Sequence, residues 1–175
     1  RQRFELLAGE RASRVQERLE GQIRRLDGLR RFFVYSDEVS EEEFHGFAHP
    51  LLILTHAYVW APKVEDADRQ RFEQSAREAG VTDFSVRELS AEHTLNVASR
   101  RPFYFPVRFT QTLTSMALPL GFDVNSEPVR RATLERASRS GAMAASPRMT
   151  LFGLKAENRQ GVLLAAPVQA RIHTA

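Results

Sequence analysis

The reading of this chain turns on Tyr104-Phe105-Pro106-Val107-Arg108-Phe109-Thr110-Gln111, followed by Leu120-Gly121-Phe122-Asp123-Val124, Ser126-Glu127-Pro128-Val129-Arg130-Arg131, and Gly141 to Pro147. In order these read as strand, turn, short apolar segment with one carboxylate, capped helix and loop. Phe103 to Phe109 has strand character, and Pro106, which has no N–H for a ladder, marks an edge or a bulge. Ser126-Glu127-Pro128 predicts a helix start, with Ser126 as cap and Pro128 where a missing N–H does no harm. The helix that follows buries Val129, Ala132, Thr133, Leu134 and Ala137, and Gly141 ends it.

Upstream, Phe4, Ala8, Ala12, Val15, Leu19, Ile23, Leu26 and Phe33 recur at three- and four-residue intervals among Arg and Glu. That spacing predicts one long amphipathic helix from Arg1 to about Phe33, weakened locally by Gly21 and Gly28. Such a helix outruns a domain of this size, so part of it pairs with another helix or another chain, the alternative being a solvated helix packed on its own domain. Ser40 and Glu43 form a capping box that opens a second helix through Phe44, Phe47, Leu51, Leu52 and Leu54, interrupted near Pro50. Ala57 to Ala61 reads as a strand, Asp66 to Ala79 as a helix stopped by Gly80, and Phe84 to Leu89 as a half-buried strand. Met149–Lys155 and Gly161–Val168 read as two apolar strands joined by a turn over residues 157–161. The inventory is that of an α+β domain with a largely antiparallel sheet.

The 175 residues, 42% of them hydrophobic, allow one domain with an appendage, and a single core is the default. Twenty-five basic and 22 acidic residues are interspersed, so no clustered basic stripe points to nucleic acid. With no cysteine, disulfides, thiolate nucleophiles and Cys-ligated metal are excluded. No run of about 18 apolar residues occurs and the first residue is Arg, which reads as a piece of a longer protein without its membrane segments.

Chemistry is sparse. Ser115, Ser126 and Ser146 lack both a glycine elbow and a nearby base, so no catalytic residue is assigned. Glu42, His45 and His49 share a helical face with His56 beyond. An i,i+4 His pair beside a carboxylate can bind zinc, but the water-activating glutamate is missing and Pro50 disturbs the face, so no metal is assigned. Phosphate loops are absent, and no cofactor is implied. What remains is a pocket: Phe109, Met116, Leu120, Phe122, Met143 and Met149 on an apolar sheet with Asp123 as the polar anchor of a small, mostly apolar ligand. The other reading of Asp123 is structural, capping the turn before Ser126 or pairing with Arg130 or Arg131.

Several pieces in order resemble the CHASE family, the extracytoplasmic sensory domain of bacterial and plant receptors. They are Trp60-Ala61-Pro62-Lys63-Val64, Asp68-Arg69 to Phe72-Glu73 with Gly80, Tyr104-Phe105-Pro106-Val107, Leu120-Gly121-Phe122-Asp123, Ser126 to Ala132 with Ala137 and Gly141, and Gly161-Val162-Leu163-Leu164 with Pro167-Val168. The resemblance covers about residues 40 to 170. It implies a stalk helix over 1–38 that leads from a transmembrane helix and joins a homodimer, and a PAS-like sensor over 39–175, with two PAS-like subdomains. It implies flanking transmembrane helices and a cytoplasmic histidine kinase or cyclic-di-GMP enzyme, with no catalysis in this domain itself.

By resemblance to cytokinin receptors, Asp123 takes hydrogen bonds from an adenine-type ligand, Phe109 lines the same pocket, and Ala144 or Ala145 offers backbone contacts. Leu151 and Gly153 lie on the following strand, where Phe152-Gly153 stands in place of a polar Thr. Two functions follow: a ligand-binding sensor that moves its stalk helices, or a ligand-free dimerisation module.

Overall fold

The computed structural model of the chain describes residues 2–90, 94–113, 118–151 and 160–169, by backbone alone up to residue 10. Helix α1, Gln2–Tyr35, is unbroken over 34 residues and rises about 50 Å. Its apolar stripe divides in two. Leu26, Leu29, Phe32 and Phe33 pack into the body, while Val15, Leu19 and Ile23 stay exposed.

Helix α2, Glu41–Ala48, opens with the capping box read from Ser40 and Glu43. It stops well short of Leu54. Pro50 has no N–H for the carbonyl of Gly46, so the chain tightens into one 3-10 turn, His49–Leu51.

Short strands follow: β1 (Ala57–Trp60), β2 (Val64–Glu65), β3 (Arg87–Leu89), β4 (Leu95–Val97), β5 (Phe103–Tyr104) and β6 (Phe109–Thr112). Helix α3 (Arg69–Glu78) lies between β2 and β3, entered by a 3-10 turn at Asp66–Asp68 and left through Gly80 at φ 102°. After helix α4 (Pro128–Ser140) come β7 (Ala144–Ala145), β8 (Met149–Thr150), β9 (Gln160–Gly161) and β10 (Leu164–Ala165). Among the described residues the strands pair antiparallel, β1 with β6, β2 with β5, β3 with β4, β7 with β10 and β8 with β9, and Arg87 of β3 adds a single parallel bridge to Phe122. The chain is thus mixed α+β, a long N-terminal helix followed by small antiparallel sheets.

Several expectations shift. The strand read over Phe103–Phe109 breaks in two at Pro106, which keeps only a single bridge to Asp123. The strand read over Phe84–Leu89 begins at Arg87, because Phe84 is still bonded back to Val81. Most of the turn read over 157–161 lies outside the described residues.

A single core does not form either. Side chains alternate across β1, so Tyr58 joins Leu29, Phe44, Ala48, Leu52 and Phe109 on the helix side, while Val59 joins Val107, Phe122 and Val124 on the other. The β1–β6 pair is the wall between these two clusters. Trp60 stacks on Phe33 of α1 at 4.0 Å between ring centroids, fastening the end of the long helix to that wall.

Candidate ligand site

Residues 121–124 are wedged between β3 and residues 105–107. Arg87 N–H bonds to the Gly121 carbonyl (2.9 Å) and Asp123 N–H to the Arg87 carbonyl (2.8 Å) on one side. On the other, Gly121 N–H bonds to the Val107 carbonyl (2.8 Å) and Val107 N–H to that of Phe122 (2.9 Å). Gly121 makes the insertion possible. Its φ is +82°, and a Cβ there would stand 2.1 Å from the Ser85 carbonyl oxygen, so only glycine fits.

Successive side chains of this segment point to opposite faces. Phe122 and Val124 join Val107, with Leu89, Val59 and Leu134 packed around them. Asp123 points the other way, into a charged layer, and is 0% exposed. Its Oδ1 accepts from Phe105 N–H (2.8 Å) and Asn125 N–H (3.1 Å), and its Oδ2 from Arg101 Nη1 (2.9 Å). Arg101 also bonds to Glu88, whose Oε1 accepts from the Ser99 hydroxyl at 2.6 Å. The neighbouring Tyr104 hydroxyl donates to Asp66 at 2.9 Å and accepts from Arg69 at 3.3 Å, and Arg69 pairs with Glu73 at 2.9 Å.

Burial pushes the Asp123 carboxyl above its usual range, opposed by the Phe105 and Asn125 N–H groups and the Arg101 charge. Asp66, held by Arg100 and Tyr104, is lowered. Burial also raises Glu88, but bonds from Ser99 and the charge of Arg101 outweigh it and the net shift is downward.

Asp123 does cap the turn before Ser126. Its ion pair, however, is with Arg101, a residue the motif did not mark because the two meet only through the sheet. Arg131 bonds instead to the carbonyls of Asn125 and Ser126 (3.0 and 3.3 Å).

The start of α4 also differs from the sequence reading. Glu127, not Ser126, caps it, its carboxylate accepting from Val129 N–H (3.0 Å) and Arg130 N–H (2.9 Å). Ser126 donates to the Asp123 carbonyl at 2.6 Å. Gly141 ends the helix at φ 67°, as read. The buried residues of α4 are Arg130, Thr133 and Ala137, while Ala132 is exposed. Arg130 is 5% exposed, with its guanidinium 5.4 Å from the Phe122 ring centroid.

The nominated residues scatter. Phe109 sits on the helix side of the β1–β6 wall, 5.5 Å from the Phe44 ring, apart from Phe122 and Asp123. Ala144 packs with Ala137 and Ala165 behind α4. Ala145 is exposed, with its carbonyl bonded to Arg136, and Met143 is half-buried. Leu151 lies against Gly161, where a Cβ would meet its Cδ1 at 2.6 Å. Met116 and Gly153 lie outside the described residues. His45 stands 4.0 Å from Glu41 and His49 3.2 Å from the Gln111 amide, and among the described residues no three groups could share a metal.

Among the clefts of the described residues, two could take a small ligand. One, about 580 Å³, lies where the end of α1 meets Trp60, Lys63 and Val168. The other, about 440 Å³, runs between β5 and α4 over Phe103, Phe105, Asn125, Leu134 and Ser138, with Lys63, Glu135 and Arg139 as charged lining residues. Neither is lined by a nominated residue. The second was legible only as the aromatic pair Phe103 and Phe105, which the sequence offered no reason to set against α4.

No described helix is long and apolar enough to cross a membrane. Among curated proteins, none matches the chain. The family model for the CHASE domain matches residues 37–175, most of the chain. With its long helix leading into small antiparallel sheets, this chain belongs to the CHASE family, the extracytoplasmic sensor-type domain of membrane receptors.

Proposed function

We propose that this domain senses a small molecule for a membrane receptor, taking it into the groove between β5 and α4 and passing the signal to the stalk helix. The observation that carries this is the shared wall. The Phe122 cluster beneath α4 touches one face of β1–β6 through Val59, and the last turns of α1 stack on the other through Phe33 and Trp60. A ligand that moves α4 or the Phe122 cluster therefore acts on packed side chains that continue to α1. The size of the response is bounded by the ligand's differential affinity for the two arrangements.

In this reading residues 1–38 are a stalk that pairs with a second copy, residues 39–175 are a PAS-like sensor of two subdomains, and transmembrane helices flank the chain. The output lies in the cytoplasm, a histidine kinase or, in the alternative, a cyclic-di-GMP enzyme. Asp123 serves the site by holding, through the Asn125 N–H, the segment that carries Asn125 to the groove lining. Adenine-type molecules are ligands to try first, on the strength of the motif around Asp123.

Ser138 is exposed on α4, so Ser138→Trp fills the groove without touching the core. Thermal melts with a panel of planar small molecules, adenine among them, should show saturable stabilisation of wild type and none of Ser138→Trp, with the unliganded melting temperatures equal. A ligand that stabilises both chains alike rules out the groove. An undisturbed melt across the whole panel favours the ligand-free dimerisation module.

A further inference from the structure

On the reading that the groove between β5 and α4 holds the ligand, we propose that the side-chain amide of Asn125 selects it, pairing with a carboxamide or lactam on a neutral planar molecule. Asn125 follows Asp123 in the 3-10 turn Val124–Ser126. Both of its backbone groups are engaged there: the N–H bonds to Asp123 Oδ1 at 3.1 Å, and the carbonyl accepts from Arg131 Nε at 3.0 Å. The residue is therefore held in place without any use of its side chain.

Asn125 is 8% exposed and lines the groove, and among the described residues its Oδ1 and Nδ2 enter no hydrogen bond. A primary amide brings an acceptor and two donors, and such groups are nearly always paired when they are buried. The other lining residues are of two kinds. Phe103, Phe105 and Leu134 are half-buried and apolar, the two rings meeting edge to face at 5.9 Å between centroids. Lys63, Glu135, Ser138 and Arg139 are exposed, so they form the rim. Lys63 is also held by Glu65 at 2.6 Å and lies 4.7 Å from the Phe103 ring centroid. The inner groove thus offers apolar walls and one neutral polar group, the composition of a site in which a placed polar group fixes the ligand's orientation.

That group dictates the class. A carboxamide or lactam sets its C=O against Nδ2 and its N–H against Oδ1, which satisfies both atoms of Asn125 at once. A carboxylate would bring its charge to Oδ1, and an amidinium would bring its donors to Nδ2. Either leaves one atom of the amide facing its own kind, which is how such a site rejects a charged ligand. The flat body of the amide stacks on the Phe103 and Phe105 rings.

Calorimetric titration of the chain with benzamide and 2-pyridone, against N,N-dimethylbenzamide, benzoate and benzamidine, tests this. Wild type should bind benzamide or 2-pyridone saturably, and N,N-dimethylbenzamide, which keeps the ring and the carbonyl but has no N–H, about tenfold more weakly or not at all. Asn125→Leu should lower benzamide affinity about tenfold, to the level of the dimethyl analogue. Its unliganded melting temperature should not fall, because the bonds that fix residue 125 are made by its backbone. Where that variant does not fold, the comparison of the two amides on wild type decides the matter alone.

Four results overturn the assignment: equal binding of benzamide and its dimethyl analogue, benzamide affinity that survives Asn125→Leu, preference for benzoate or benzamidine, or no amide binding at millimolar concentration. A planar ligand without an amide that is blocked by Ser138→Trp and indifferent to Asn125→Leu leaves the groove in place and rejects the amide class. Benzamide binding that Asn125→Leu abolishes and Ser138→Trp spares removes the groove instead.

Discussion

Asp123 and Arg130 are both buried charges, and their surroundings differ. Asp123 is met by two backbone amides and a guanidinium, so its burial is compensated. Even so, desolvation raises its pKa, which means that the folded chain holds that proton more tightly than the unfolded chain. The stabilisation from that proton is full below the unfolded carboxylate range and is lost as pH rises through the raised folded value. Asp66, lowered by Arg100 and Tyr104, has the opposite sign, its contribution being lost as pH falls through the folded value. Between mildly acidic and neutral pH, wild type should therefore lose stability relative to Asp123→Asn. Denaturant unfolding of both chains across that range checks it, and parallel curves would mean that the carboxyl is not shifted. The single carboxylate in an apolar segment was visible in the sequence, but its partner Arg101 was not. That pairing needs residues 121–124 to be threaded between β3 and residues 105–107, which rests on the fit of Gly121 against Ser85.

At the scale of elements, local chemistry was read well wherever the hydrogen bonds close within a few residues. The capping box of α2 and the stop of α4 at Gly141 are of this kind. The start of α4 is a near miss. Ser126 is a sound cap by type, but its hydroxyl is committed to the Asp123 carbonyl, and Glu127 reaches the free amides instead. Glu127→Ala should therefore lower stability by about 1 kcal/mol, whereas Ser126→Ala leaves those amides satisfied. Comparison of the two midpoints in urea decides which residue is the cap. The strand ends fared worst, because a short strand is defined by its partner, and Phe84 and Pro106 have strand character without a ladder to join.

At the scale of the whole molecule, the division of α1 matters most. Its last turns are bound to the body through Phe32, Phe33 and Leu29, and its earlier turns present Val15, Leu19 and Ile23 to solvent at i, i+4 and i+8. That stripe has the spacing of a helix-pairing seam. Under the proposed stalk dimer, the chain should run as a dimer in light scattering at high concentration. Leu19→Glu should convert it to a monomer with an unchanged far-ultraviolet circular dichroism spectrum. A monomeric wild type at all concentrations would remove the stalk from the dimer interface.

The α+β class, the long helix, the capping box, Pro50, Gly141 and the order of motifs were determined by the sequence itself, since each depends on side-chain type and near-neighbour spacing. Only the tertiary structure decided which face each residue serves. It set Phe109 and Phe122 on opposite sides of β1–β6, turned Asp123 away from the apolar cluster toward Arg101, and buried Arg130 against Phe122. The physical reason is that alternation along a strand tells which residues share a face but not what lies opposite. A guanidinium reads as surface until the packing of α4 shows that it has been folded inward.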